Sequence, residues 1–161
     1  MKQISKQILT MLAFVLPLLG SVGGGMAQSV VTLIVTDPLT GIALNGLDPV
    51  SYFSEGAPVA GHAEHELRWS HVPWYFANQA NRDVFERSPE IYAPQFGGHD
   101  AMAVARGFVA DSDPRIHTVF KQRLYLFYSA ANREAFLLAP DAAARTAAEN
   151  WPDLSKDLSA N

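Results

Sequence analysis

The chain has no cysteine among its 161 residues. That absence removes disulfides, thiolate metal sites, iron–sulfur clusters and a cysteine nucleophile together. Positive charge is also scarce, with 12 Lys and Arg against 16 Asp and Glu and a formal net charge of −4. Such a balance offers no cationic face to neutralise a phosphate backbone, which argues against a nucleic-acid partner. Long apolar runs are missing too. The best candidate, Ile8–Leu19, is interrupted by Thr10 and Pro17 and is too short to span a bilayer as a permanent helix. No Gly-x-Ser-x-Gly elbow, phosphate-binding glycine loop or His-Glu-x-x-His pair occurs, so the chain reads as non-enzymatic.

What is present begins with Lys2 and Lys6 ahead of the apolar run, followed by a glycine-rich break at Gly20–Gly25 and the small residues Gly25 and Ala27 around Met26. This is the layout of a secretory signal peptide, with cleavage expected after Ala27. Removing residues 1–27 takes away two lysines and no acid, leaving 134 residues and a balance of −6. No cysteine follows the run to accept a lipid, so the mature chain is expected to be periplasmic or secreted, with no membrane anchor. Its length suffices to bury roughly two-thirds of the unfolded surface without disulfide staples.

Residues 28–45 read as an extended arm or edge strand, from the β-branched run Val30–Val35 to a turn at Asp37–Gly41. Asp48 before Pro49 predicts a capped short helix over Pro49–Ser54. His65, Leu67 and Trp69 then alternate with polar residues, and a turn at Ser70–Pro73 leads into Trp74-Tyr75-Phe76, a β-hairpin. His62 and His71 fall in predicted turns. Asn78 should cap a helix to Arg87, Ser88 a shorter one to Tyr92, and Asp100 a helix over Ala101–Arg106 ended by Gly107. Pro140–Leu158 has a helical stripe of Ala147, Trp151 and Leu154, with Pro152 expected to break it and residues 152–161 to form a polar tail.

An internal repeat organises these elements. Phe76, Asn81, Arg82, Asp83, Phe85, Pro89 and Glu90 recur 51 residues later as Phe127, Asn132, Arg133, Glu134, Phe136, Pro140 and Asp141. Upstream the offset is 52, matching Gly46-Leu47-Asp48 to Gly98-His99-Asp100. Units of about fifty residues have marginal cores alone, so residues 46–95 and 98–151 are expected to pack as one compact α+β domain with pseudo-two-fold symmetry.

Asp48-Pro49-Val50-Ser51, the hairpin ending Trp74-Tyr75-Phe76, and Asn81-Arg82-Asp83-Val84-Phe85 with Pro89 and Tyr92 resemble the YHS domain, a small module often found in metal-handling proteins. The second unit looks like a diverged copy. Tyr92–Gly98 and Leu124–Ser129 are similar to segments of exported bacterial YHS-domain-containing proteins. The resemblance implies a small binding module linked to metal or redox handling. It also implies cysteine ligands at three positions per copy, and here those positions hold Ser51, Ala77 and Asn81, then Ala103, Tyr128 and Asn132. None of these is a good donor to zinc or copper(I).

Histidine is the side chain that could replace the cysteines as a ligand. His62 and His65 would point to opposite faces of a strand, and His65 shares its face with Leu67 and Trp69, as a core histidine does. Asp48, His99 and Asp100 are the candidate metal ligands, because the pseudo-symmetry would bring the two helix-capping aspartates toward the centre, beside His99. A divalent metal ion is the cofactor such a set would take, although nothing in the sequence requires one. Two alternatives stay open. One is a degenerate scaffold that binds a protein or small ligand without metal; the other is an enzyme of unknown class, which would need a cleft bringing His99 or His117 to a carboxylate.

Overall fold

The computed structural model describes residues 33–54 and 56–159. The expected signal peptide and the first part of the arm lie outside these residues. The chain folds as a mixed α+β protein in which one short succession of elements is traced twice.

Each tracing opens with three consecutive residues in left-handed backbone: Leu44, Asn45 and Gly46 (φ 54°, 52° and 79°), then Phe96, Gly97 and Gly98 (φ 56°, 62° and 86°). This conformation costs a non-glycine residue about 1–2 kcal/mol, so packing must hold it. Leu44 and Phe96 are buried and supply that packing. An aspartate follows and caps a short helix, a 3₁₀ turn over Pro49–Phe53 in the first copy and α3 over Ala101–Ala105 in the second.

The hairpins are strand β1 (His62–Trp69) with β2 (Val72–Phe76), and β3 (Asp113–Phe120) with β4 (Arg123–Phe127). Both are antiparallel, and their registers correspond residue for residue: Leu67 faces Trp74 as Thr118 faces Tyr125, and each has its irregularity at the same place. The turns use paired left-handed residues, Ser70-His71 and Lys121-Gln122, as two-residue hairpin loops of the primed type require. His71 is therefore in the expected turn, whereas His62 opens β1. Helices α1 (Gln79–Arg87) and α4 (Ala130–Leu138) follow, capped by the Asn78 and Ser129 side chains.

After these helices the copies diverge. Helix α2 (Pro89–Tyr92) ends there because Pro94 pushes Ala93 into extended backbone (φ −65°, ψ 142°). Ser88 precedes α2 but makes no side-chain cap bond, contrary to expectation. Helix α5 starts at the matching proline and continues through Pro140–Ser159. The break expected at Pro152 does not occur, since the helix runs on to Ser159; the last two residues of the expected polar tail lie outside the described residues. One proline removes one backbone donor, and Trp151 and Leu154 pack on the second core on either side of it.

The described residues form two adjoining cores. The first gathers Trp74, Phe76, Phe85, Tyr52 and Ile34; the second gathers Phe127, Tyr125, Phe136, Phe96 and Ala147. Strand β4 serves both, since Leu124 and Leu126 on one face complete the first core while Tyr125 and Phe127 on the other build the second. Tyr52 ties the copies again, donating its hydroxyl to the Pro114 carbonyl at 2.8 Å, and its burial pushes the phenol far above the ordinary tyrosine range. The arm makes no strand within the described residues. It is held by an isolated bridge from Thr36 to Ala43 and by the Val35 N–H on the Gly97 carbonyl.

Candidate functional site

Both capping aspartates are fully buried, and each is the centre of a hydrogen-bond hub. Asp48 accepts from the Val50 N–H at 2.8 Å through Oδ1, and from the Ala77 N–H at 2.9 Å and Asn81 Nδ2 at 2.6 Å through Oδ2. Asp100 accepts from Met102 and Ala103 N–H at 2.8 and 2.9 Å through Oδ1, and from Tyr128 N–H and Asn132 Nδ2 at 2.7 and 2.6 Å through Oδ2. Ser51 Oγ donates to the Asp48 carbonyl at 2.6 Å and accepts from the Val59 N–H at 3.1 Å, so it serves the turn.

The three positions at which the YHS resemblance places cysteines thus converge on the aspartate in both copies. Their occupants are amides, an alanine pair, a serine and a tyrosine backbone, which supply N–H and O–H donors rather than electron pairs for a metal. Carboxylate oxygens engaged by such donors are poor metal ligands, and this donor set does not fit a soft or a hard cation. Among the described residues no three His, Asp or Glu side chains are grouped so as to hold a metal ion. Asp48, His99 and Asp100, the ligands expected from sequence, are accordingly separate in role: two hubs and one packed imidazole.

His99 is completely buried, with its ring 5.7 Å from the Trp151 indole and Nδ1 3.7 Å from Asp111 Oδ1. His117 Nδ1 lies 3.2 Å from the Arg115 carbonyl, and the ring stands edge-on to Tyr52 at 4.8 Å. His65 is half-buried on the face of β1 that carries Leu67 and Trp69. All three have packing roles in the seam or the hairpins.

The concave surface lies elsewhere, in the seam between the copies. A chamber of about 200 Å³ is walled by Trp69 and Trp74 from the first hairpin, Ala93, Pro94 and Gly97 from the junction, Ile34 from the arm and Trp151 from α5. It contains all three tryptophans of the chain. A neighbouring hollow of about 410 Å³ shares Trp69, Ala93, Pro94 and Trp151 and adds Gln95, Glu90 and Arg123. A third, of about 500 Å³, shares Ile34 and Ser70 and adds Arg68 and His71. The chamber and the hollow beside it share an aromatic wall of Trp69 and Trp151 and form one groove, which the third, more polar hollow adjoins at Ile34 and Ser70.

The sequence explains how the groove is built. Trp74 is the inward residue of β2, and its Nε1–H is spent on the Trp69 carbonyl at 3.1 Å. The two indoles meet at 67° with centroids 5.6 Å apart. Trp151 arrives from α5 and rests on Phe96 at 5.8 Å. Gly97 forms part of the floor with φ 62°, and a Cβ there would collide with the Leu33 carbonyl, so only glycine lets the arm close this side.

Sequence reasoning missed this site because Trp69 and Trp151 each fit a core stripe. The available signal was their number, three tryptophans on three elements, with no third copy-equivalent: the repeat maps Trp74 onto Tyr125 and Trp69 onto Phe120 but gives Trp151 no partner. Among the described residues no helix is long and apolar enough to cross a membrane. No protein-family model, curated protein or solved structure matches the chain.

Proposed function

We propose that this chain is an exported, non-enzymatic binding module of the YHS type, acting in the periplasm or outside the cell, whose recognition surface is the tryptophan groove. The observation that carries the reading is the convergence of all three tryptophans on one concave seam. Binding sites of small ligands are concave and mostly apolar, with few polar groups, and they favour junctions between structural units. The YHS resemblance is supported by the convergence of its three cysteine positions on one aspartate in each copy. Metal handling is left out of the reading, because five of those six positions supply donors to the capping carboxylates and the sixth, Ser51, donates to the Asp48 carbonyl.

The test is nuclear magnetic resonance of the three indole N–H groups during titration with a panel of small aromatic and aliphatic compounds. Trp69 and Trp151 should shift in a saturable way, and Trp74 less, because its N–H is already engaged. A stoichiometric metal in untagged protein, together with a metal-dependent rise in unfolding temperature and no indole response, would overturn the proposal.

A further inference from the structure

We infer that the groove takes a small aromatic carboxylate of one or two fused rings, with its ring against Trp69 and Trp151 and its carboxylate toward Arg123. The inference rests on the groove being the recognition surface and adds the chemistry of the ligand. Three features of the groove point to it.

The first is shape. Trp69 and Trp151 line both the chamber and the hollow beside it, so a flat ring placed at that boundary meets both indoles. The second is size. At about 30 Å³ for each water displaced, the 200 Å³ chamber holds the volume of about seven waters, which suits a compact ring system.

The third is charge. The chain is acidic, yet among the described residues the ends of the groove carry Arg68 and Arg123 against one acid, Glu90. Arg123 Nη1 donates to the Glu90 carbonyl at 2.7 Å, which anchors the guanidinium, and among the described residues neither arginine is in an ion pair. An anchored guanidinium at the edge of an aromatic hollow matches a carboxylate with paired N–H donors. A cationic ligand would meet two positive ends instead, and a neutral ring would leave both unmatched.

The experiment is calorimetric titration of the full chain with 2-naphthoate, the neutral 2-naphthamide and cyclohexanecarboxylate, with the indole signals followed in parallel. Naphthoate should bind and shift Trp69 and Trp151. The amide should be about tenfold weaker through loss of the charge-assisted pair, and the non-aromatic acid should be weaker by a similar factor. Added salt should weaken naphthoate but not the amide. Arg123→Gln, checked for an unchanged unfolding midpoint, should erase the difference between acid and amide. Equal binding of acid and amide by the natural chain would overturn the carboxylate assignment while leaving the groove as the recognition surface. No indole response to any of the three compounds would overturn both.

Discussion

The two copies share a fold but divide the labour unequally. In the first, β2 buries Trp74 and Phe76 on one face and leaves Tyr75 half-exposed. In the second, Leu124, Tyr125, Leu126 and Phe127 of β4 are all buried. The hubs differ in the same sense, with three donors on Asp48 and four on Asp100. A duplicated unit can therefore keep its backbone plan while one copy takes over the central position, and the capping aspartate of the copy at the centre accepts one more hydrogen bond than its counterpart.

The largest test of this inequality removes a hub. Asp100→Ala would strand four donors in or near the core and should cost about 5 kcal/mol, whereas Asp48→Ala strands three and should cost about 1 kcal/mol less. Urea unfolding of both variants measures the pair, and equal losses would show that the additional donor carries no weight. The Asn81 and Asn132 amides that complete the hubs were within reach of the sequence. They recur at matching positions beside a recurring aspartate, and a polar pair kept in both copies signals a shared structural task. In sequence they are no more than poor metal ligands, because a sequence does not show which way an amide points.

A second test contrasts the strands. Leu126→Ala opens a void in the first core and should cost about 3 kcal/mol, while Tyr75→Ala at the equivalent position removes a half-buried ring and should cost about 1 kcal/mol. If the two variants unfold at the same denaturant concentration, β4 is not the shared strand. Here the sequence was ambiguous for a physical reason. Both Val72–Phe76 and Leu124–Phe127 are nearly unbroken apolar runs, which suit burial on two faces, and only the tertiary partner decides which run receives it.

The smallest expected effect concerns the left-handed triplets. Gly97→Ala must displace the arm from the floor of the groove and should cost about 2 kcal/mol, with loss of protection at the Val35 N–H in hydrogen exchange. Asn45→Ala, at the matching place in the first copy, should cost about 1 kcal/mol or less, since asparagine itself already tolerates this backbone. A protected Val35 in Gly97→Ala would show that the arm is held by Ile34 burial instead. The helices were the most legible elements, because Asn78 and Asp100 announce their own starts. The course of α5 past Pro152 was the least, since its continuation depends on Trp151 and Leu154 finding the second core.

The sharing of β4 also sets an order in time. A ribosome delivers the first copy complete with both strands and its helix, yet the hydrophobic interior of that copy lacks Leu124 and Leu126 until the second hairpin has been made. At about 5–20 residues per second the wait is on the order of seconds. For that interval the first core of the nascent chain lacks two of the buried leucines that complete it.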